Sequence, residues 1–577
     1  MAIINKLNVS FNHNLIDNEY AFFQIVTSNK YINGGASILD KPKELLNVES
    51  IVFDNGKSLF MMFKKDAISR MKLVSLLDDD SLTIKTIYSE NISDYILIRL
   101  FIYSLNNFES DAIKFNNITG KFYITSPNWI NKNRKSFKAL SINVNKDMYM
   151  SLDAVSFNQI SLFKNQKVKD YPKYEFSNKN NSLKRSFDNS DTCFIRKSIY
   201  GKKAEIPFLD LKVNNIKNSK SYYFYKITDL LLDRFKNILS IDFDNVEIDN
   251  KMEDYIDKDF IDKSYQIIKN KGINLINWSN SSEFGEEFND LKQYFLSKNL
   301  NVCESNKFTN DFNIVYLHNK EFYLQNGYKD PYKNFPDNKV IQHITIEDSL
   351  DKLLDNNEAV FNTILKELII KNDIINDKKI SLDNWANLNL DGDMIFGRIK
   401  NDYIHFMTIS LNGFINFYTK YNDFSSFNVP ILNECSSYLT DYNKESYIIS
   451  YKNNIISIDK TNAFFVPSRK LFDLDTISRS KDSRNEYLDG IVDINLFNYN
   501  DSFCFNSGMK GSGMNTFIPK TSLIYKTEVL KGNNFIHLIL KTMSVPFVKY
   551  NSFTVIPYPF KYLNEYIDIF EKKNIQI

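Results

Sequence analysis

At 577 residues the chain exceeds what one hydrophobic core supports and is expected to divide into about three or four domains. Apolar residues make up 43% and aromatic residues 15%, with 47 Phe and 34 Tyr, which excludes a disordered or low-complexity chain. Lys and Arg (72) balance Asp and Glu (70) to a net charge of +2, so there is no global electrostatic signature of a nucleic-acid binder and any basic groove must be local.

The first stretch, MAIINKLNVSFNHN, has no basic-then-apolar leader. Residues 1–90 then alternate short β-type runs (AFFQIVTS, SIVFD, SLFMMF, LTIKTIYS) with Asn, Gly and Asp turns, the pattern of an antiparallel sheet module. A helix over 92–106 closes it. Its core, YILIRLFIYSL, is the nearest approach to a membrane span, but it is short and carries Arg99, so a buried helix is expected. Strands KFYITS, ALSINV and DAVSFNQISLF follow over 118–165. The polar run KVKDYPKYEFSNKNNSLKRSFDNSD (167–191) is low in apolar residues and reads as a linker.

After KAEIPFLDLKV (203–213) the pattern changes. A helix within YKITDLLLDRFKNIL leads to strands and helices in alternation: GINLINW, helix EFNDLKQYFLSKN, FNIVYLH, KVIQHITI and a long helix up to about residue 373, an α/β arrangement. A second α/β block opens near residue 390 with MIFGRIK and YIHFMTISL as a hairpin. It continues through YIISYKNNIISI, FCFNSGMKGSGM, SLIYKTEVL, the helix FIHLILKTMSV and the tail VIPYPFKYLNEYIDIF.

Familiar chemistries are absent as motifs. The four cysteines (Cys193, Cys303, Cys435, Cys504) form no CxxC or Cys/His cluster, which argues against a zinc site or a disulfide scaffold and for a reducing cytoplasm. The five histidines (His13, His318, His343, His405, His537) have no metal-ligand spacing. There is no GxSxG, Walker A or GxGxxG motif, and residues 508–513 (GMKGSG) lack P-loop order.

The order of four stretches resembles the MID and PIWI domains of Argonaute proteins. Residues 340–345 (VIQHIT) match a strand with a guide-contacting Gln, and residues 361–371 (FNTILKELIIK) look like the helix that ends in a phosphate-binding Lys. Residues 501–513 are similar to the late PIWI strand and its Gly-containing turn, and 538–566, with Ile556, Pro557, Tyr558 and Pro559, to the closing helix and Pro-x-Pro segment. The resemblance implies an α/β multidomain chain: an N-terminal antiparallel β-rich domain (1–106), linker domains with PAZ reduced or absent (107–237), a Rossmann-like MID domain (238–372) and an RNase H-like PIWI domain (373–577).

For the guide 5′-phosphate it implies Tyr328, Lys329, Tyr332, Lys333, Gln342 and Lys371, with Tyr332 stacking on the first base and a Mg²⁺ ion at the phosphate. The physical need is clear: a buried dianion requires several donors and compensating positive charge. The same residues are also compatible with an exposed turn and a Lys at a helix C-terminus. His343 alternates with Gln342 and is expected to be core-facing or otherwise satisfied. Where the family often has an Arg before Pro-x-Pro, this chain has Asn551 and Ser552, with Lys549 nearby.

PIWI nucleases hold two metal ions about 4 Å apart with carboxylates. Here the three ligand positions carry Lys400 (or Arg398 or Ile399), Asn453 and Gly508, none a carboxylate; Asp391, Asp393 and Asp402 flank the first strand in turns. The expectation is a catalytically inactive guided binder, with a short guide DNA or RNA and a complementary strand as partners. As the resemblance implies, it would work with a separate effector (a helicase-nuclease, an NAD-consuming enzyme or a membrane protein) in defence against plasmids or phages. The alternatives are an active guided endonuclease with displaced acids and a scaffold with no nucleic-acid role.

Overall fold

The computed structural model describes residues 2–28, 48–105, 114–118, 121–163, 168, 171–177, 182–186, 190–199, 205–210, 216–246, 250–251, 260–279, 285–329, 331–355, 358–381, 385–423, 426–439, 446–473, 495–499, 502–506, 517–518, 521, 523–543 and 556–574. Two units divide the chain. Unit 1 takes Met1–Glu247, Asn462–Asp493 and Gly508–Leu523, and unit 2 takes Ile248–Thr461, Ile494–Ser507 and Ile524–Ile577.

Unit 1 begins with β1 (Ala2–Phe11), followed by β2 (Tyr20–Thr27), β3 (Val48–Asn55), β4 (Ser58–Lys64) and β5 (Leu82–Ile87). The last four form an antiparallel sheet in the order β3-β4-β2-β5. Strand β2 alternates buried and half-buried residues, whereas the central β4 is buried along nearly its whole length. Phe23, Ile25, Met61 and Phe63 pack there with Leu73, Leu77 and Ile84. Helix α1 (Asp94–Ser104) is the buried helix expected from its apolar run, with Ile96 to Ile98 and Leu100 to Ser104 all buried.

Strands β6 (Lys114–Ile118), β7 (Lys121–Thr125), β8 (Ser136–Val144), β9 (Met150–Gln159), β10 (Lys173–Ser177), β11 (Ser182–Ser186) and β12 (Phe194–Ile195) build a seven-stranded antiparallel sheet in the order β11-β10-β12-β9-β8-β7-β6. This corrects the linker reading of residues 167–191, which contain β10 and β11. A hairpin at a sheet edge needs only one apolar face, and Tyr174 supplies it by packing edge-on against Phe157 beside Phe137 and Phe194. The low apolar content therefore marked an edge, not a connection. Helix α2 (Lys220–Phe235) leads into β13 (Leu239–Val246), which returns to pair antiparallel with β1.

Unit 2 holds α3 (Phe260–Lys271), β14 (Ile273–Asn277), α4 (Gly285–Ser297), β15 (Val302–Glu304), β16 (Phe312–Leu317), α5 (Lys320–Asn326), β17 (Val340–Thr345) and α6 (Glu358–Asn372). The four strands are parallel, in the order β15-β14-β16-β17. Every residue of β16 is buried, as expected of a parallel strand covered on both faces.

The chain continues through β18 (Met394–Lys400), β19 (Tyr403–Ile409), β20 (Ile415–Tyr421), α7 (Pro430–Ser437), β21 (Ser446–Tyr451), β22 (Asn454–Val466), β23 (Asn495–Tyr499), β24 (Ser502–Asn506), β25 (Leu523–Lys531) and α8 (Pro559–Asn574). Their sheet order is β23-β24-β25-β22-β21-β18-β19-β20. On one face Ile395, Phe406 and Ile448 pack against Leu432 and Cys435 of α7. On the other, Phe396 and Tyr447 meet Phe560 of α8. Gly397 is required by this packing, since a Cβ there would lie 2.2 Å from the Phe406 ring. Together the two units make the α/β multidomain protein expected. Among the described residues no helix is long and apolar enough to cross a membrane.

Candidate nucleic-acid interface

Strand β17 alternates its side chains, so Gln342 faces one side of the sheet and Ile341 and His343 the other. Gln342 is buried at 9% exposure and points to α6, whose Glu367 and Lys371 lie one turn apart on the same face. Its Nε2 donates to Glu367 Oε2 at 2.7 Å, and its Oε1 accepts from Lys371 Nζ at 2.7 Å. Lys371 Nζ also donates to the Ile341 carbonyl at 2.7 Å. The lysine thus bridges to a neighbouring strand and does more than end its own helix.

Helix α8 completes the cluster. Glu565 lies 3.7 Å from Lys371, and Lys561, one turn away, lies 3.7 Å from Glu367. Two ammonium groups and two carboxylates alternate around the Gln342 amide, so the cluster is electrically neutral. An anion gains there only by taking the place of Glu565 beside Lys371. The Mg²⁺ implied by the resemblance does not fit this arrangement: both carboxylates already face ammonium groups, and the Gln342 oxygen is taken by Lys371.

Next to the cluster, Asp373 is fully buried and accepts from Ser381 N (2.8 Å), Ser381 Oγ (2.6 Å) and Tyr562 Oη of α8 (2.7 Å). Burial pushes its carboxyl up to about 7, against the lowering effect of those donors. Burial also pushes Lys366 of α6 down to about 8.

Tyr328, Lys329 and Tyr332 do not join Gln342 and Lys371. Tyr332 belongs to the opposite face: its ring stands edge-on to His343 at 5.0 Å and packs with the cluster of Ile341, Val315 and Phe335, while its hydroxyl donates to the His318 carbonyl at 2.9 Å. A Tyr held in this way is not free to stack on a base beside Gln342. His343 is exposed, not core-facing, with the Tyr332 ring against it. Tyr328 is 62% exposed just beyond α5 and stacks on Phe322, and Lys329 is exposed beside it. The Lys333 side chain lies outside the described residues, as do Lys549, Asn551 and Ser552.

The strand positions expected from the nuclease comparison also separate. Strand β21 runs antiparallel to β18, with Met394 opposite Tyr451 and Arg398 opposite Tyr447. Asn453, in the turn after β21, therefore lies at the Gly392 end of β18, where Lys452 crowds Gly392 and pairs with Asp391. Lys400 ends the same strand eight residues further on, roughly 26 Å away at strand rise. The positions taken as counterparts of two neighbouring metal ligands are thus at opposite ends of one strand. Gly508 lies outside the described residues.

At the Lys400 end, Arg398 and Lys400 project from the face covered by α8. Arg398 Nη1 donates to Asn564 Oδ1 at 2.6 Å with its guanidinium over the Tyr447 ring, and Lys400 Nζ lies 2.7 Å from Asp568 and 3.9 Å from Glu571. Asp391, one of the flanking acids, accepts from Tyr451 Oη and Lys452 Nζ at the far end. Among the described residues, no group of three or more His, Cys, Asp or Glu side chains is gathered to hold a metal.

Sequence reasoning missed Glu367, Lys561 and Glu565. Glu367 was legible as the residue one turn before Lys371, but nothing local to α8 indicates which of its acids face α6.

No family model and no curated protein matches this sequence. Among solved structures, Argonaute from Kluyveromyces polysporus, in a crystal structure with a guide RNA, is similar over 95% of this chain and 89% of its own, at 9% identity and a TM-score of 0.48. Argonaute from A. aeolicus is similar over 98% of this chain and 97% of its own, at 10% identity and a TM-score of 0.37. At such identities neither neighbour assigns a role to any residue here.

Proposed function

We propose that this chain is a catalytically inactive, Argonaute-like protein that holds the 5′ end of a short guide strand and recognises a complementary strand through base pairing. The observation that carries this reading is the pair Gln342 and Lys371, which sequence resemblance singled out from segments 29 residues apart and which meets at 2.7 Å on the edge strand of a parallel sheet. In this reading the MID-like part is the parallel sheet with α6, and the PIWI-like part is the sheet from β18 onward with α8.

Lys371 and Gln342 contact the 5′-phosphate when the phosphate replaces Glu565 as the anion beside Lys371. Absence of cleavage is part of the proposal and rests on the sequence alone, in which positions 400, 453 and 508 carry Lys, Asn and Gly and no carboxylate. A protein that binds without cutting needs a second activity to have a consequence, so a separate effector acting in defence against plasmids or phages completes the proposal.

The test is binding of short DNA and RNA strands with 5′-phosphate or 5′-hydroxyl ends to wild type and to Lys371→Ala at fixed salt, followed by addition of Mg²⁺ and a labelled complementary strand. The expected result is phosphate-dependent binding, weakened roughly tenfold by Lys371→Ala, with the complementary strand intact. Cleavage would replace this reading by that of an active nuclease, and binding indifferent to both the phosphate and Lys371 would remove the 5′-end site.

A further inference from the structure

The seven-stranded sheet of unit 1 contains an open groove of about 380 Å³ lined by residues 153–156 of β9, residues 196–198 after β12, and Lys220 at the start of α2. It arises because β12 pairs with β9 only at Asn158 and Gln159. Beyond Ile195 the chain departs, and among the described residues the 153–156 edge of β9 has no partner on that side. In an antiparallel pair alternate residues turn their N–H groups away from the partner, so this edge offers backbone donors to the groove.

The side chains around it are cationic. Arg196, Lys197 and Lys220 face one carboxylate, that of Asp153, which is exposed on the strand. Lys220 is half-buried, and desolvation lowers its pKa despite the opposing attraction of Asp153. Among the described residues none of the three cations has a carboxylate within ion-pair distance. Aromatic rings hold two of them instead: Arg196 lies 5.5 Å from the Tyr123 ring centroid, and Lys197 lies 5.0 Å from that of Tyr171 and 5.7 Å from that of Phe163. A ring quadrupole orients a cation without neutralising it. Ser156 and Ser198 also line the groove, and their hydroxyls have no hydrogen-bond partner among the described residues.

We propose that this groove is a phosphate-binding site for a nucleotide-sized ligand. Three cations against one carboxylate leave two positive charges, which match a phosphomonoester dianion; two hydroxyls and a strand edge supply neutral donors. The volume exceeds that of phosphate alone and lies in the range of small-ligand sites. The phosphate comes either from a free nucleotide or from the backbone of a nucleic-acid strand, and both present the same oxygens. This site does not rest on the reading of Gln342 and Lys371.

The experiment is calorimetric titration of the full chain, at fixed salt, with inorganic phosphate, 5′-AMP and a 5′-hydroxyl oligothymidylate, using wild type, Arg196→Ala, Lys220→Met, Lys220→Arg and Lys371→Ala. The expected result is binding of 5′-AMP or the oligonucleotide that remains in Lys371→Ala, weakens about tenfold in Arg196→Ala and in Lys220→Met and persists in Lys220→Arg. Arg196 is exposed, and Lys220→Arg keeps the charge at its position, so loss of binding in the two charge-removing variants alone reads the site. Binding of 5′-AMP identifies a free nucleotide as sufficient, and binding of the oligonucleotide alone identifies the strand backbone. The proposal is overturned if wild type binds none of the three probes, if Arg196→Ala and Lys220→Met bind as tightly as wild type, or if only Lys371→Ala weakens binding.

Discussion

Two clusters of positive charge, one in each unit, are built in opposite ways. In unit 2, Lys371 and Lys561 are matched by Glu565 and Glu367, and Lys400 by Asp568. In unit 1 the groove at Lys220 holds three cations against one carboxylate. A matched cluster stabilises the fold but offers little to an incoming anion, whereas an unmatched one costs stability and is repaid when an anion arrives. The consequence is a testable difference in sign between substitutions of the same residue type.

The largest effect concerns a group that unit 2 keeps uncharged. His405 is 1% exposed, its Nδ1 bonds Thr419 Oγ1 at 2.8 Å and its Nε2 has no side-chain partner among the described residues. Burial, reinforced by the charges of Arg398 and Lys400, pushes its pKa down to about 4. The unfolded chain takes up the proton near 6.5, so the contribution of neutral His405 is complete above pH 6.5 and is lost as the pH falls toward 4. The loss is on the order of 3 kcal/mol over that window. Asp373 acts with the opposite slope: its raised pKa favours the fold at low pH, and that contribution declines as the pH rises from about 4 to about 7. Urea unfolding from pH 4 to 8 separates the two, because His405→Gln flattens only the His405 part. An unchanged profile in that variant contradicts the assignment.

Lys371→Met comes next, with an expected cost of about 2 kcal/mol, since it leaves the Gln342 oxygen, the Ile341 carbonyl and Glu565 without their donor. A smaller effect, in binding and not in stability, is expected from Glu565→Gln. Removing the internal competitor for Lys371 should tighten 5′-phosphate binding roughly threefold to tenfold, and a decrease would mean that Glu565 positions the lysine instead of competing for it.

The smallest effect carries the contrast. Lys220→Met keeps the aliphatic stem and removes a desolvated charge, so it should stabilise the chain by about 0.5 kcal/mol while weakening phosphate binding. If Lys220→Met and Lys371→Met destabilise equally by urea denaturation, the two clusters do not differ in the way described.

Periodicity determined much of the fold. The period-2 runs of residues 20–64, the apolar run of α1 and the strand–helix alternation from 273 to 372 each carry a local signal that burial then uses. The pairing of Gln342 with Lys371 was legible only through the resemblance, since nothing local to the strand or to the last turn of the helix joins them. Tertiary structure alone decided the rest. Strand direction depends on what lies beside the strand, and the antiparallel course of β21 sent Asn453 to the far end from Lys400. The acids of α8 that neutralise Lys371 and Lys400 lie more than 160 residues away in sequence, and the groove at Lys220 draws on three separate segments. A sequence states which charges exist. Only packing determines which meet, because Coulomb energy depends on distance and dielectric and neither is a local property of the chain.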